Sequence, residues 1–165
     1  MPTPKITIYT DGAARGNPGP GGYGVVLISG KHRKELSQGY RFTTNNRMEL
    51  LAVIKALEAL KIEGSDVTIY TDSKYVADAV EKGWLFRWVA KNFKGKRNKD
   101  LWVQFLELYK RHNIKLIWIK GHDNHPHNER CDQIAVGASS GPDLKEDEGY
   151  TPECGGVETD SPEDH

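Results

Sequence analysis

The chain has 165 residues, of which 37% are hydrophobic, and its formal net charge is zero. This length and hydrophobic fraction fit one globular domain with a normal core, and no apolar run reaches the roughly 18–20 residues that a membrane-spanning helix needs. The first residues lack the apolar stretch of a secretory signal, and the two cysteines are too far apart in the sequence to suggest a disulfide framework. We therefore expect a cytoplasmic protein that has no membrane partner.

The charges are distributed unevenly along the chain. Residues 143–165 contain nine acidic side chains and one basic side chain, which leaves 22 basic and 14 acidic side chains in residues 1–142. A basic body is typical of proteins that bind a polyanion, although an ordinary solvated surface has the same appearance. The terminal segment is poor in large apolar residues, which predicts a flexible acidic tail over residues 143–165 after a domain over residues 1–142.

The first half of the chain predicts three strands, a helix and a fourth strand. A glycine-rich loop from Gly12 to Gly22 separates the first strand from an antiparallel pair. The spacing of apolar residues then changes from the period of a strand to that of a helix. The predicted elements are strands at 5–10, 23–28, 35–42 and 67–70 and a helix at 47–61.

The second half predicts a fifth strand and further helices. A cluster of aromatic residues and a basic loop at 94–99 precede a helix for which Asp100 is a candidate N-cap. Helical crossovers place strands four and five parallel to strand one, so the pattern predicts an α/β layer with a mixed sheet. The predicted elements are helices at 73–80, 100–112 and 128–138 and a strand at 114–119.

Two carboxylates follow predicted strands that should be neighbours. Asp11 stands at the end of strand one and Asp72 at the end of strand four. The carboxyl ends of parallel strands are where α/β folds usually place their sites. Each residue also has a structural interpretation, because Asp11-Gly12 is compatible with a turn and Asp72 with a helix cap.

Further candidates lie on helices and on a loop. Glu49 shares a helix face with apolar residues, which suggests either favourable charge at a helix N-terminus or a bound metal. Asp132 lies near the start of the last helix, and His122 follows strand five. Four acidic side chains at one sheet edge would repel one another without a cation, and oxygen ligands suit Mg²⁺ or Mn²⁺. Two such ions can activate water and stabilise the leaving oxygen of a phosphodiester.

Several motifs, in the same order and spacing, are shared with one known family. They are Tyr9-Thr-Asp-Gly12, Gly16-Asn-Pro-Gly-Pro-Gly-Gly-Tyr-Gly24, Thr43-Thr-Asn-Asn-Arg-Met-Glu-Leu50, Thr71-Asp-Ser73, Asp100-Leu-Trp102, Lys120-Gly-His122 and Asn128-Glu-Arg-Cys-Asp132. Over residues 5–150 the chain resembles the bacterial type 1 ribonucleases H. The resemblance implies a ribonuclease H-like fold, with a five-stranded mixed sheet and helices on both faces. It also implies a monomeric endonuclease that cuts the RNA strand of RNA–DNA hybrids with two Mg²⁺ ions, leaving 5′-phosphate and 3′-hydroxyl ends.

The resemblance also implies roles for individual residues. The metal-binding, catalytic carboxylates would be Asp11, Glu49, Asp72 and Asp132. His122 would be a further catalytic residue that moves protons or helps product release, and Glu129 would assist metal exchange. Mn²⁺ would be a possible substitute for Mg²⁺.

The expected substrate contacts form two groups. Asn17, Asn45 and Asn46 are similar to amides that read the minor groove of the hybrid, where RNA exposes its 2′-hydroxyls, and Thr44 to a residue that binds a DNA phosphate. Lys74 stands where many relatives have glutamine, and Phe42 stands where the DNA-phosphate pocket often has arginine. The remaining expected contacts are Lys74, Trp84, Arg87, Trp88, Lys94, Lys96 and Arg97, with the two tryptophans equally compatible with a place in the core.

Two rival functions remain open from the sequence. One is a hybrid-binding module without catalysis, which the presence of all four carboxylates disfavours. The other is a different nuclease of the same fold, which would share the acidic cluster but not the surroundings of Asn17 and Thr44-Asn45-Asn46.

Overall fold

The structure is a computed structural model that describes residues 4–121 and 125–150. None of the helices in these residues has the length and apolar character that crossing a membrane requires. The strands are β1 (Lys5–Ala14), β2 (Gly19–Ser29), β3 (His32–Thr43), β4 (Asp66–Thr71), β5 (Asn113–Trp118) and β6 (Leu144–Lys145). The helices are α1 (Asn45–Glu58), α2 (Lys74–Glu81), α3 (Trp84–Ala90), α4 (Lys99–Tyr109) and α5 (Pro126–Ser140).

The strands form one mixed sheet in the order β5-β4-β1-β2-β3-β6. β1 pairs parallel to β4 and β4 parallel to β5, whereas β2 runs antiparallel to both β1 and β3. This confirms the predicted meander and the predicted parallel strands. The expected five-stranded sheet gains a sixth strand, because Leu144 and Lys145 pair with the outer edge of β3.

The helices cover both faces of the sheet, as expected. The face that carries Ile8 and Val25 packs against α1 and forms the main core. On the other face α5 lies so close to β2 and β3 that a Cβ atom at Gly24 or Gly39 would overlap the main chain of α5. Glycine at these positions therefore permits the close packing of α5 that brings Asp132 towards the end of β1.

Two local predictions were wrong. The segment from Gly12 to Gly22 is mostly strand rather than loop, because β1 continues to Ala14 and β2 begins at Gly19. Asp100 is not the N-cap of α4, since the helix begins at Lys99 after Asn98, and Asp100 instead binds Arg47.

The segment from 143 to 150 belongs to the folded domain. Asp147 accepts hydrogen bonds from Arg47 Nε at 2.7 Å and Nη2 at 3.0 Å, while Asp100 accepts two more from the same guanidinium. The Arg47 side chain is fully buried and that of Asp147 is 8% exposed. Within the predicted tail, β6 and this buried ion pair therefore attach Leu144, Lys145 and Asp147 to the rest of the domain. Residues 151–165 lie outside the described residues.

Candidate active site

Two carboxylates meet where the parallel pairing of β1 with β4 ends, which for Asp11 is within β1 and not at the end of the strand as predicted. The register pairs Thr10 with Thr71, so Asp11 and Asp72 follow at the same level on adjacent strands. One ligand oxygen from each of Asp11, Glu49 and Asp72 lies within 4.8 Å of the other two. The structure thus brings together three of the four predicted metal ligands as the tightest acidic group among the described residues.

Glu49 reaches this group because α1 sits directly on β1. A Cβ atom at Gly12 would overlap the main chain of Met48 and Glu49, so glycine is needed for the contact. The Gly12 N–H donates to Glu49 Oε1, whereas Glu49 Oε2 is buried without a hydrogen-bond partner within the described ranges. A carboxylate oxygen left in this state favours the metal interpretation of Glu49, because a buried polar atom normally has a partner.

Burial and mutual repulsion weaken the acidity of the cluster. Burial first, and then the charges of Asp72 and Asp132, raise the pKa of Asp11 to about 8, against a hydrogen bond with Glu49 that lowers it. The pKa of Glu49 is raised well above its usual value by burial and by the charges of Asp11 and Asp72. Burial also raises the pKa of Asp72. A divalent cation would reverse these shifts, since it favours the ionised form of each carboxylate.

Asp132 faces the same pocket from α5. It lies outside the compact group of three, but its charge and a side-chain hydrogen bond with it both act on Asp11. The pocket has a volume of about 460 Å³. It is lined by Asp11, Gly12, Asn45, Glu49, Asp72, Ser73, Lys74, Trp118 and Asp132.

Two asparagines tie the β1–β2 hairpin to the start of α1. Asn17 Oδ1 accepts from the Asn45 N–H at 2.9 Å, and Asn45 Oδ1 accepts from the Ala14 N–H at 2.6 Å. Asn45 lines the acidic pocket, whereas Asn46 is only 2% exposed. Thr44 is fully buried and caps α1 by accepting from the Arg47 N–H at 3.2 Å. Of these predicted contacts, Asn17 and Asn45 are thus the best placed to meet a ligand.

Known proteins resemble this chain over most of its length. A family model described as RNase H matches residues 3–140. The ribonuclease H of Syntrophus aciditrophicus is 55% identical over 154 residues, which cover 90% of this chain and 88% of the relative. The chain belongs to the ribonuclease H family. The ribonuclease H of Desulforamulus reducens agrees, with 57% identity over 85% of this chain and 91% of the relative.

Solved structures of ribonucleases H share the fold. LC9-RNase H1, a type 1 enzyme with the type 2 active-site motif, superposes with a TM-score of 0.75 at 30% identity and covers 84% of this chain and 74% of its own. LC11-RNase H1, solved in complex with an RNA/DNA hybrid, gives a TM-score of 0.62 at 28% identity over 81% of this chain and 95% of its own. The ribonuclease H-like fold expected from the sequence is confirmed.

The other predicted substrate contacts of this ribonuclease H lie mostly around α3. A second cavity, of about 250 Å³, is lined by Arg87, Trp88, Lys91, Lys94 and Lys96. Trp88 is 4% exposed and packs edge-on against Trp102, so its ring belongs to the core. Its buried Nε1, however, has no hydrogen-bond partner among the described residues. Trp84 and Arg97 are partly buried, and Lys74 lies at the acidic pocket instead.

Two further predicted residues and one missed residue complete the site. His122 lies outside the described residues, and Glu129 is exposed in the first turn of α5. Trp118, the last residue of β5, lines the acidic pocket but was not predicted. Its place at the carboxyl end of a parallel strand was the available signal, because Asp11 and Asp72 were found by the same argument.

Proposed function

We propose that this chain hydrolyses the RNA strand of RNA–DNA hybrids at the pocket formed by Asp11, Glu49 and Asp72, with two divalent ions and release of 5′-phosphate and 3′-hydroxyl ends. The observation that carries the proposal is that the buried Asp11 and Glu49 and the half-buried Asp72 lie against one another, and among the described residues no cationic side chain belongs to this group. Such an arrangement is unfavourable unless a cation binds there.

The donor set fits the proposed ions. Carboxylate oxygens are ligands that Mg²⁺ and Mn²⁺ prefer, and Glu49 Oε2 is a buried oxygen without a hydrogen-bond partner in the described part of the chain. Asp11, Glu49 and Asp72 would hold the ions, with Asp132 contributing from α5. When bound, two divalent ions activate an attacking water and stabilise the leaving oxygen of a phosphodiester.

The protein's own groups supply the selection of the RNA strand. Asn45 lines the pocket with the carboxylates, and Asn17 accepts a hydrogen bond from the Asn45 main chain. An amide can both donate to and accept from a 2′-hydroxyl. The same hydroxyl is absent from DNA, so these contacts favour RNA in the pocket. LC11-RNase H1, which has been solved with an RNA/DNA hybrid, supports this choice of substrate class.

The basic cavity around α3 suits the DNA strand of the hybrid. Arg87, Lys94 and Lys96 line it, and the buried Trp88 Nε1 is a donor that a phosphate oxygen can satisfy. We extend the proposal to His122 and Glu129, which would assist proton movement, product release and metal exchange. Thr44 and Asn46 would need a local movement to reach a substrate, because both are buried.

The decisive experiment compares labelled duplexes. An RNA–DNA hybrid, a double-stranded RNA and a double-stranded DNA are each incubated with Mg²⁺, Mn²⁺ or a chelator. We expect cleavage of the RNA strand of the hybrid alone, its loss in chelator, and its loss in Asp11→Asn even with Mg²⁺. Equal cleavage of double-stranded DNA would instead favour another nuclease of this fold, and hybrid binding without cleavage would favour a binding module.

We also propose that the chain acts as a monomer in the cytoplasm. Size-exclusion chromatography with light scattering measures the first point, and fractionation of the source cells measures the second. A stable dimer, or recovery of the protein with the membrane or extracellular fraction, would contradict the proposal.

A further inference from the structure

Trp118 stands at the rim of the acidic pocket and is hydrogen-bonded to Asp72, one of the proposed metal ligands. It is the last residue of β5, lines the pocket, and is 42% exposed. Its Nε1–H donates to the main-chain oxygen of Asp72 at 3.0 Å. A large aromatic side chain is thus held at the pocket and is not buried in the core.

The Trp118 ring also contacts Lys74. The Lys74 Nζ atom lies 4.8 Å from the ring centroid, which is within the range of a cation–π interaction. Lys74 is exposed and begins α2 directly after the Ser73 cap. The ion pairs within the described residues do not include Lys74, so its charge stays available to a ligand.

The main chain beneath Lys74 is held in place. The Ser73 N–H donates to Thr71 Oγ1 at 3.1 Å, and Ser73 Oγ accepts from the Val76 N–H at 3.2 Å. The main chain at Lys74 is therefore fixed, whereas its long side chain, which has four rotatable bonds, can adopt several orientations. Contact with an exposed aromatic ring favours one orientation of such a side chain by about two- to five-fold.

We propose that Lys74 binds a phosphate of the RNA strand next to the bond that is cut, and that Trp118 is a positioning residue for both Lys74 and Asp72. This rests on the proposed function, because the strand to be hydrolysed must enter the pocket at whose rim both residues lie. A phosphate beside the reacting one then passes the Lys74 ammonium group. An ammonium group contacts phosphate as a point charge, with no demand on base sequence.

The two contacts of Trp118 act on different kinetic constants. Lys74→Gln removes the phosphate contact, so we expect KM to rise about five-fold with little change in kcat. Trp118→Phe keeps an aromatic face for Lys74 but loses the N–H that holds Asp72, so we expect kcat to fall about five-fold with KM near the parent value. Trp118→Leu loses both contacts and should show both changes.

The test is steady-state cleavage of a labelled hybrid by the full chain with Mg²⁺ at several salt concentrations. The variants are Lys74→Gln, Lys74→Arg, Trp118→Phe, Trp118→Leu and the double variant Lys74→Gln/Trp118→Leu. Lys61→Gln is the matched control, because Lys61 is also an exposed lysine. It follows the C-terminal end of α1, whereas the pocket lies at the N-terminal end. Melting temperatures of all variants check that the fold is retained.

The proposal expects a specific pattern of results. In Lys74→Gln the dependence of KM on salt concentration should weaken by the amount that one phosphate contact contributes. Lys74→Arg should keep most of the parent's affinity, and Lys61→Gln should change neither KM nor its salt dependence. In the Trp118→Leu background, Lys74→Gln should raise KM by much less than in the parent.

Other patterns would overturn the proposal. An unchanged KM and salt dependence in Lys74→Gln would exclude the phosphate contact. An equal effect of Lys74→Gln in both backgrounds would exclude positioning by Trp118. Both outcomes presuppose a parent chain that cuts hybrids, so they differ from a failure of the proposed function, in which the parent itself is inactive.

Discussion

Two regions at the start of α1 bury carboxylates in opposite ways. Arg47 and Glu49 are two residues apart and are 0% and 6% exposed, respectively. Around Arg47 the buried charge is matched within the protein by Asp100 and Asp147. Around Glu49 it is met by the further acids Asp11 and Asp72. One helix end thus carries both a completed ion-pair cluster and an acidic cluster that needs a cation from solution.

The two clusters serve different purposes: the one around Arg47 stabilises the fold, and the one around Glu49 serves function. Burial disfavours the charged form of Arg47, but hydrogen bonds and charge from Asp100 and Asp147 outweigh this and raise its pKa. In the acidic pocket burial and repulsion act in the same direction on Glu49. We therefore expect substitutions in the first cluster to lower stability and substitutions in the second to lower activity while relieving strain in the metal-free fold.

The largest expected effect is that of breaking the matched cluster. Arg47→Met keeps most of the side-chain length but leaves Asp147 buried without its partner, so the free energy of unfolding should fall by about 3–5 kcal/mol. Denaturant unfolding measures it. Arg130→Met is the control, because Arg130 pairs with Glu35 on the surface and its loss should change stability far less. Equal losses in the two variants would mean that the burial of the Arg47 cluster has no special importance.

Truncation tests where the folded domain ends. A chain that stops after residue 142 loses β6 and Asp147, so we expect a loss of about 2–3 kcal/mol. A chain that stops after Tyr150 keeps both and should change by less than about 1 kcal/mol, because residues 151–165 contain almost no large apolar side chain. Thermal unfolding of the two truncated chains compares them directly. Similar stabilities of the two truncated chains would show that the folded domain ends at residue 142, as the sequence predicted.

The sequence predicted the antiparallel meander, the parallel strands and the acidic edge because all three follow from local patterns. Alternation and helical crossovers make β1, β4 and β5 parallel, and this alone brings Asp11 and Asp72 together. Glu49 was found because a charged residue on the apolar side of a helix contradicts the pattern around it. The roles of single residues on the substrate side came from the resemblance to a family, and they stay predictions.

What the sequence did not predict depends on contacts between distant segments. Asp147 looked like one more charge in an acidic tail, and nothing in its neighbourhood shows that Arg47, 100 residues earlier, lies beside it. Gly22 of β2 looked like part of a loop because the need for glycine there comes from Ala135 and Ser139 of α5, which is far away in the sequence. For Trp118 the sequence offered its place at the end of β5 as a signal, but not its contacts with Asp72 and Lys74, which lie outside β5.

The acidic pocket should give the metal-free protein a distinctive pH dependence. The pKa of Asp11 rises from 3.8 to about 8 on folding, so between these values the folded state keeps a proton that the unfolded chain has released. Its contribution to stability is therefore complete below about pH 4 and is lost as the pH rises towards 8. In chelator, the stability of the parent relative to Asp11→Asn should decline from pH 5.5 to 8, by on the order of 1 kcal/mol. A constant difference across this range would contradict the assignment.

The most direct test of the account is the stability of Asp11→Asn at neutral pH, with chelator and with Mg²⁺. Asparagine keeps the shape of the side chain and is neutral without a proton, whereas Asp11 must take up a proton on folding or place its charge among the other acids. In chelator the variant should therefore be more stable than the parent by on the order of 1 kcal/mol. Added Mg²⁺ should narrow the gap, because it stabilises the native parent by binding to it. Denaturant unfolding of both proteins under both conditions gives the four free energies. A variant that is clearly less stable in chelator would show that Asp11 serves the fold and not a metal.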